Sequence, residues 1–88
     1  MQIRVRLGAG LARFAGSPLL AVELPDSSSV DDLLAALGER HPDLAPALPS
    51  ALPVVRGSHV ERSAALSPGD EVALLIPVAG GAGQMRGA

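Results

Sequence analysis

The sequence contains no cysteine and no lysine, and each absence removes a class of chemistry. Without cysteine there is no disulfide, thiolate metal site, iron–sulfur cluster or cysteine nucleophile. Without lysine there is no Schiff base, P-loop lysine or lysine general base. Any chemistry of this 88-residue chain must therefore come from other groups.

Aromatic rings are almost missing too, because Phe14 is the only one. A platform on which nucleic-acid bases stack is therefore not expected. The formal net charge of −2 gives no basic footprint for nucleic acid or for an anionic membrane. No apolar run approaches the length that spans a bilayer, and no signal-peptide pattern follows Met1. We expect a cytoplasmic protein with no nucleic-acid or membrane partner.

The apolar pattern predicts five strands. Alternation of apolar and polar residues indicates the first two strands, which form an antiparallel hairpin, and a turn at Gly57-Ser58 separates a second, smaller hairpin. The last strand is almost continuously apolar and is predicted to lie centrally, covered on both faces. The stretch 11–17 is interpreted as a loop with one helical turn. The predicted strands are residues 3–7, 19–24, 53–56, 59–62 and 71–76.

One helix is strongly indicated between the two hairpins. Ser29 can cap it, Asp31 and Asp32 favour its first turn, and Pro42 disfavours its continuation. Apolar residues recur at the spacing i, i+3, i+4, i+7, which predicts a helix over residues 30–40. These positions are Val30, Leu33, Leu34 and Leu37. A crossover helix that packs on a mixed sheet, with the last strand beside the first, predicts an α+β, β-grasp fold.

The chain after the last strand predicts a peptide arm rather than packed structure. Residues 78–81 are small and uncharged, and glycine lacks a Cβ, so this segment suits passage through a narrow channel of another protein. The predicted organisation is therefore a β-grasp domain at 1–77, a flexible carrier tail at 78–81 and a removable extension at 82–88.

Residues 68–81 resemble the end of the MoaD/ThiS family of ubiquitin-like sulfur-carrier proteins. Here the sequence reads Pro-Gly-Asp-Glu-Val-Ala-Leu-Leu-Ile-Pro-Val-Ala-Gly-Gly. Residues 5–16, 22–25 and 29–37 resemble the first strand and its loop, the second strand and the helix of that family. The resemblance extends from about residue 3 to residue 81.

The resemblance implies a carrier that is a co-substrate and not an enzyme. In the family an E1-like enzyme uses ATP to adenylate the terminal glycine carboxylate, and a sulfur donor converts it to a thiocarboxylate. By position, Gly81 would be the acyl terminus, Gly80 its companion, and Pro77, Val78 and Ala79 the residues that line the partner's channel. The acceptor would be an enzyme subunit, as in molybdopterin synthase, and no cofactor is expected to bind the carrier itself.

Several residues depart from the family pattern. Seven residues follow Gly81, so we expect a metallopeptidase to cleave there and activate the chain; the alternative is a paralogue that is never activated. Ile76 replaces the first of two usual prolines, Gly8 stands where an aromatic residue is frequent, and Arg56 replaces a common asparagine. The acceptor pathway stays open among molybdopterin, cysteine, thiamin, tRNA and natural-product sulfuration.

Two further functions remain alternatives to the sulfur carrier. In the first, the activated glycine forms an isopeptide bond with a target lysine, as in a ubiquitin-like modifier. In the second, the chain is a β-grasp binding module whose tail is never activated.

Few side chains are candidates for a site. The sheet face that the helix leaves uncovered would expose apolar residues, so Leu75 is a candidate for partner docking, whereas Leu74 is assigned to the core. His41 and His59 are 18 positions apart, and no metal role is expected for them. The paired carboxylates suit a helix start and a turn rather than catalysis; they are Asp31 with Asp32 and Asp70 with Glu71.

Overall fold

The structure, a computed structural model, describes residues 1–76. These residues form five strands, two α-helices and one 3-10 helix. The elements in chain order are β1 (Gln2–Leu7), α1 (Ala9–Ala15), β2 (Leu19–Glu23), α2 (Val30–Arg40), the 3-10 helix (Leu48–Ser50), β3 (Leu52–Val55), β4 (Ser58–His59) and β5 (Glu71–Leu75). No helix among them has the length and apolar content needed to span a bilayer.

The strands form one mixed sheet in the order β2-β1-β5-β3-β4. β1 is antiparallel to β2 and parallel to β5, and β3 is antiparallel to both of its neighbours. Parallel neighbours require a crossover connection, and the intervening chain, which includes α2, supplies it. The predicted α+β, β-grasp fold with one main helix is confirmed.

The core lies on one face of the sheet. In β1 the side chains of Ile3, Val5 and Leu7 are buried, whereas Arg4 and Arg6 between them are exposed. The predicted apolar stripe of α2 is buried in the same cluster as these three residues. Full burial of one such side chain contributes roughly 1.5–3 kcal/mol, so this single layer supplies most of the stability of a small domain.

The helix α2 begins and ends as predicted. The hydroxyl Oγ of Ser29 accepts from the Asp32 amide at 3.2 Å, and Asp32 Oδ2 accepts from the Ser29 amide at 2.9 Å. This reciprocal pair satisfies two donors that the first turn would otherwise leave free. At the other end, the amide of His41 donates to the Leu37 carbonyl at 2.8 Å, immediately before Pro42.

The interpretation of residues 11–17 as a loop with one helical turn is wrong. The structure has α1 there, which runs from Ala9 to Ala15 and therefore makes about two turns. Gly16 ends the helix in the left-handed region at φ 78°, where its amide donates to the Ala12 carbonyl at 2.9 Å. Burial of Leu11 in the core stabilises this short helix, which contains Gly10 and is flanked by Gly8 and Gly16, beyond what its propensities indicate.

The second hairpin also differs from the prediction. Its turn is Arg56-Gly57 rather than Gly57-Ser58, because both turn residues have positive φ (53° and 77°), as tight two-residue hairpins require. The return strand β4 covers only Ser58–His59 instead of residues 59–62.

Arg62, which lies beyond the return strand, contacts the crossover segment. Its Nη2 donates to the carbonyls of Leu48, Pro49 and Ala51 at 3.0, 2.8 and 2.9 Å, in and directly after the 3-10 helix. The side chain therefore joins this part of the chain to the crossover segment.

The last strand β5 lies centrally, but its predicted coverage on both faces is wrong. Val72 and Leu74 are fully buried, Ala73 is half-buried, and Leu75 is exposed. Because α2 covers only one face, alternate residues of this nearly continuous apolar run face outward. Leu74 is thus confirmed as a core residue.

Candidate functional site

The end of β5 defines one edge of the sheet, which we call the exit edge. β1 and β5 are parallel and end together there, since Leu7 pairs with Leu74. The antiparallel strands β2 and β3 begin at the same edge, at Leu19 and Leu52. The chain after Ile76 therefore continues from this edge.

Exposed apolar side chains concentrate at the exit edge. Five large hydrophobic residues of the described chain are exposed, and α1, which carries one of them, links the end of β1 to the start of β2. Clustered apolar surface is typical of an interaction site, whereas scattered single residues are not. The five are Phe14, Leu19, Leu52, Leu75 and Ile76.

Leu75 lies where the sequence placed a docking residue. Its side chain is 44% exposed, whereas its neighbour Leu74 is fully buried. Leu52 of the neighbouring strand β3 is the register partner of Leu75. A Cβ built on Gly8 would lie 3.5 Å from Leu75 Cδ2. The backbone amide of Gly8 donates to the Leu74 carbonyl at 3.0 Å, which fixes the end of β1 beside Leu75. Its exposure is confirmed; its docking role stays a prediction.

The sheet face opposite α2, which we call the open face, also carries charge. The guanidinium Nε of Arg6 donates to Glu71 Oε2 at 2.7 Å. Arg4 is exposed on the same face, and no ion pair of Arg4 occurs among the residues from 1 to 76. The open face therefore combines an arginine row on β1 with apolar residues on β5 and β3.

The residues of the proposed carrier tail lie outside the described part of the chain. They are Pro77, Val78, Ala79, Gly80 and Gly81, and their roles stay predictions, as do the domain boundaries at 77 and 81. What the structure adds is the place from which this segment starts.

Among the titratable residues considered as alternatives, Asp70 has structural partners and the two histidines lie apart. The buried carboxylate of Asp70 accepts from Arg56 Nη2 at 2.7 Å and from the Ser67 amide at 2.9 Å. His41 is the residue that follows α2, and His59 lies exposed on the short strand β4. Within residues 1–76 no three histidine or acidic side chains are grouped as metal ligands would be.

Sequence reasoning missed most of the exit edge. Phe14 was assigned to a loop, Leu19 was treated only as a strand residue, and Leu52 was placed in the crossover before the third strand. Arg4 and Arg6 were recognised as facing solvent, yet not as neighbours of an apolar surface. Strand register is the signal that brings these residues together, since Arg6 pairs with both Leu19 and Ala73.

The family model described as the ThiS family matches residues 5–81, which includes the paired glycines. Among solved structures, the crystal structure of SAMP1 from Haloferax volcanii is 30% identical, with a TM-score of 0.83 over 91% of this chain and 99% of that one. No curated protein matches the sequence. The resemblance stated above is confirmed.

Two further structures share the fold at lower identity. A putative molybdopterin converting factor subunit 1 from Pyrococcus furiosus is 24% identical, with a TM-score of 0.80 over 89% of this chain and 99% of that one. The complex of subunits 1 and 2 of molybdopterin-converting factor from Helicobacter pylori contains a chain that is 21% identical, with a TM-score of 0.68 over 91% and 99%.

Proposed function

The chain belongs to the ThiS family, and from that membership we propose that it is a sulfur carrier whose reactive group is the Gly81 carboxylate. Removal of residues 82–88 is the step that would create this carboxylate. The carrier then contributes an acyl group to other enzymes and performs no catalysis itself.

The chemistry of activation accounts for the terminal glycine. A carboxylate is a poor electrophile, so an E1-like enzyme first joins a carboxylate oxygen to the α-phosphorus of ATP, and pyrophosphate leaves. Sulfide-level sulfur released by the donor then attacks the acyl carbon, forms the C–S bond and expels AMP, which leaves a thiocarboxylate. The sulfur passes from there to the acceptor subunit. ATP is used by the partner and is not a resident cofactor.

The match that runs to Gly81 is the observation that carries this proposal. β5 ends at Leu75, six residues before Gly81, and six extended residues reach at most roughly 20 Å. An arm of this reach allows the domain to stay on the partner's surface while Gly81 enters an active site. The exposed Leu75, at the root of the arm, is the residue we propose for that docking.

A protein modifier is the second candidate, and one comparison favours it. The neighbours of known structure include small archaeal modifier protein 1 of Haloferax volcanii, at 29% and 30% identity in two crystal structures. In this alternative a lysine amine, rather than sulfur, attacks the activated carbonyl carbon of Gly81. Both candidates share the adenylation step and differ in the nucleophile.

Intact mass spectrometry separates the candidates. The chain truncated after Gly81 is incubated with the E1-like enzyme of the same cell, ATP and a sulfur donor; exchange of one oxygen for sulfur supports the carrier. The Gly81→Ala variant of the truncated chain should gain no sulfur while it keeps its thermal stability. Covalent adducts on lysines of other proteins would favour the modifier. No reaction of the truncated chain would leave only the binding module.

The processing step needs its own measurement. The mass of the protein recovered from its own cells should correspond to a chain that ends at Gly81, with a longer precursor that accumulates when metallopeptidases are inhibited. A population that ends only at Ala88 would contradict activation by cleavage.

A further inference from the structure

β2 is an outer strand of the sheet, so one side of its backbone has no neighbouring strand among residues 1–76. At one end of the ladder with β1, the Leu7 amide donates to the Pro18 carbonyl at 2.8 Å. At the other end, the Leu24 amide donates to the Met1 carbonyl at 2.8 Å. Bonded pairs recur at every second residue of an antiparallel ladder, so the N–H and C=O groups of the residues between them point away from β1. These residues form what we call the outer side of β2: Leu19, Ala21 and Glu23.

The Ser17 hydroxyl covers the first residue of the outer side. Its Oγ donates to the Leu19 carbonyl at 2.9 Å and accepts from the Leu19 amide at 3.3 Å. Both outward backbone groups of Leu19 are therefore bonded by one side chain. Within residues 1–76 no corresponding bond reaches the outward groups of Ala21 or Glu23. Because unpaired strand groups are a template for another strand, the outer side is blocked at one end and open from Ala21 onwards.

The outer side fits a second copy of itself in one antiparallel register. When Ala21 lies opposite Ala21 of the second copy, each Leu19 lies opposite a Glu23. Only the small Ala21 then faces its own counterpart, and the two Glu23 carboxylates stay apart. This separation matters because like charges directly opposite each other destabilise a strand pair. The pairing also covers Leu19, whose side chain is 43% exposed.

The charges at the two ends of β2 favour the same arrangement. Glu23 and Asp26 share the Met1 ammonium, at 3.4 and 3.6 Å, so a net negative charge remains at the later end of the strand. Arg13 lies near the earlier end, in the last turn of α1, and forms no ion pair within the described stretch 1–76. Antiparallel copies bring the acidic end of one strand towards the basic end of the other, which is electrostatically complementary.

Other occupants fit the outer side less well. The extension 82–88 contains two glycines and no β-branched or aromatic residue, so it is a poor strand former. A strand from another protein would meet the same backbone groups, yet nothing on this side of β2 selects its sequence or register. A second copy brings both the matching register and the opposite charge.

We propose that the outer side of β2 pairs antiparallel with that of a second copy, and that the Ser17 hydroxyl keeps this pairing weak. While Ser17 is bound to Leu19, only the central Ala21 pair forms its hydrogen bonds. Release of Ser17 adds a Leu19–Glu23 pair on either side of it. The exit edges of the two copies point in opposite directions, so the dimer leaves both uncovered. The inference therefore does not depend on the proposed function.

Sedimentation velocity of the full 88-residue chain, over a range of concentrations, measures the pairing. Ser17→Ala should lower the dissociation constant of the dimer about tenfold or more, because the released groups of Leu19 become bonded to Glu23. Ser17→Thr keeps a hydroxyl at the same place and should behave as the wild type. Ser58→Ala, on the opposite outer strand β4, is the matched control and should also leave the constant unchanged.

Two further variants locate the association on β2. In the Ser17→Ala background, Ala21→Pro removes the outward N–H of the central pair without loss of a bond to β1, so the chain should return to a monomer. Ala21→Lys in the same background should have the same effect, because the added cations meet each other and the Arg4 beside them. The lysine variant decides the question if the proline variant does not fold. Thermal melts followed by circular dichroism verify the fold of each variant.

Three results would overturn the inference. If folded Ser17→Ala has the dissociation constant of the wild type, Ser17 does not limit the pairing. If Ser17→Ala associates more tightly but a folded Ala21 variant leaves that association unchanged, the surface lies elsewhere. If Ser17→Ala stays monomeric and binds another protein instead, the outer side has a different occupant. Because the sedimentation measurements use neither ATP nor the activating enzyme, failure of the proposed function would leave this inference standing.

Discussion

The two edges of the sheet are built in opposite ways. At the edge where β5 begins, which we call the turn edge, Asp70 joins Arg56 and Ser67 through its two carboxylate oxygens. Its carbonyl also accepts from the Arg4 amide at 3.1 Å. At the exit edge, exposed apolar side chains such as Leu75 lie beside backbone hydrogen bonds, and the side-chain hydrogen bonds between Ser17 and Leu19 are exposed.

This difference between the two edges indicates that one edge serves the stability of the fold and the other serves recognition of a partner. Polar contacts of a buried carboxylate are specific and expensive to break, so they fix the turn edge in one arrangement. Exposed leucines contribute little to the free energy of unfolding, yet they become useful when a partner covers them. We conclude that the turn edge holds the fold and that the exit edge is available for binding.

The largest expected effect comes from Leu74, which lies at the exit edge but points into the core. Leu74→Ala should reduce the free energy of unfolding by about 2–5 kcal/mol, because a fully buried side chain leaves a cavity. Urea denaturation followed by circular dichroism measures the loss. Leu75→Ala, one residue further on, is the matched control; equal losses for both variants would contradict the assignment of the two faces.

An intermediate effect is expected at the turn edge. Asp70→Ala should cost about 1–3 kcal/mol of unfolding free energy, since the Ser67 amide and the Arg56 guanidinium lose their acceptor. Asp43→Asn, at an exposed carboxylate of the crossover, is the control and should change stability little. If denaturation shows no difference between the two variants, the turn edge does not hold the fold.

The smallest effect on stability is expected from the exposed part of the exit edge. Leu75→Ser should change the unfolding free energy by less than about 0.5 kcal/mol, as is usual for an exposed site away from caps and buried contacts. The same variant should saturate the activating enzyme less readily than the wild type, which pyrophosphate exchange measures. If the variant is stable and saturates the activating enzyme as the wild type does, Leu75 does not belong to the docking surface.

The sequence predicted the fold well where one pattern dominates. The spacing of Val30 and Leu33, with Ser29 as a cap, defined α2 to the residue because the helical stripe and the capping box act locally. It failed for α1, whose glycines favour a loop while the burial of Leu11 favours a helix, and burial depends on the whole fold. A local sequence pattern does not show whether Leu11 will be buried, so it could not predict α1.

The candidate site was less predictable for a related reason. Leu74 and Leu75 are chemically identical, and only the position of α2 on one face decides which of them is buried. Strand register places Leu19 and Leu52 at the exit edge, and α1 carries Phe14 between β1 and β2; the sequence does not reveal either placement. Gly80 and Gly81 were found instead through the family resemblance, because their proposed role depends on chemistry at a chain end and not on packing.

The triple hydrogen bond of Arg62 has a consequence for local opening of the structure. One guanidinium nitrogen contacts three carbonyls within residues 48–51, in a segment where proline cannot donate a backbone hydrogen bond. We therefore expect these residues to open together when the Arg62 contacts break. In a chain without lysine, the guanidinium of one arginine makes all three of these contacts.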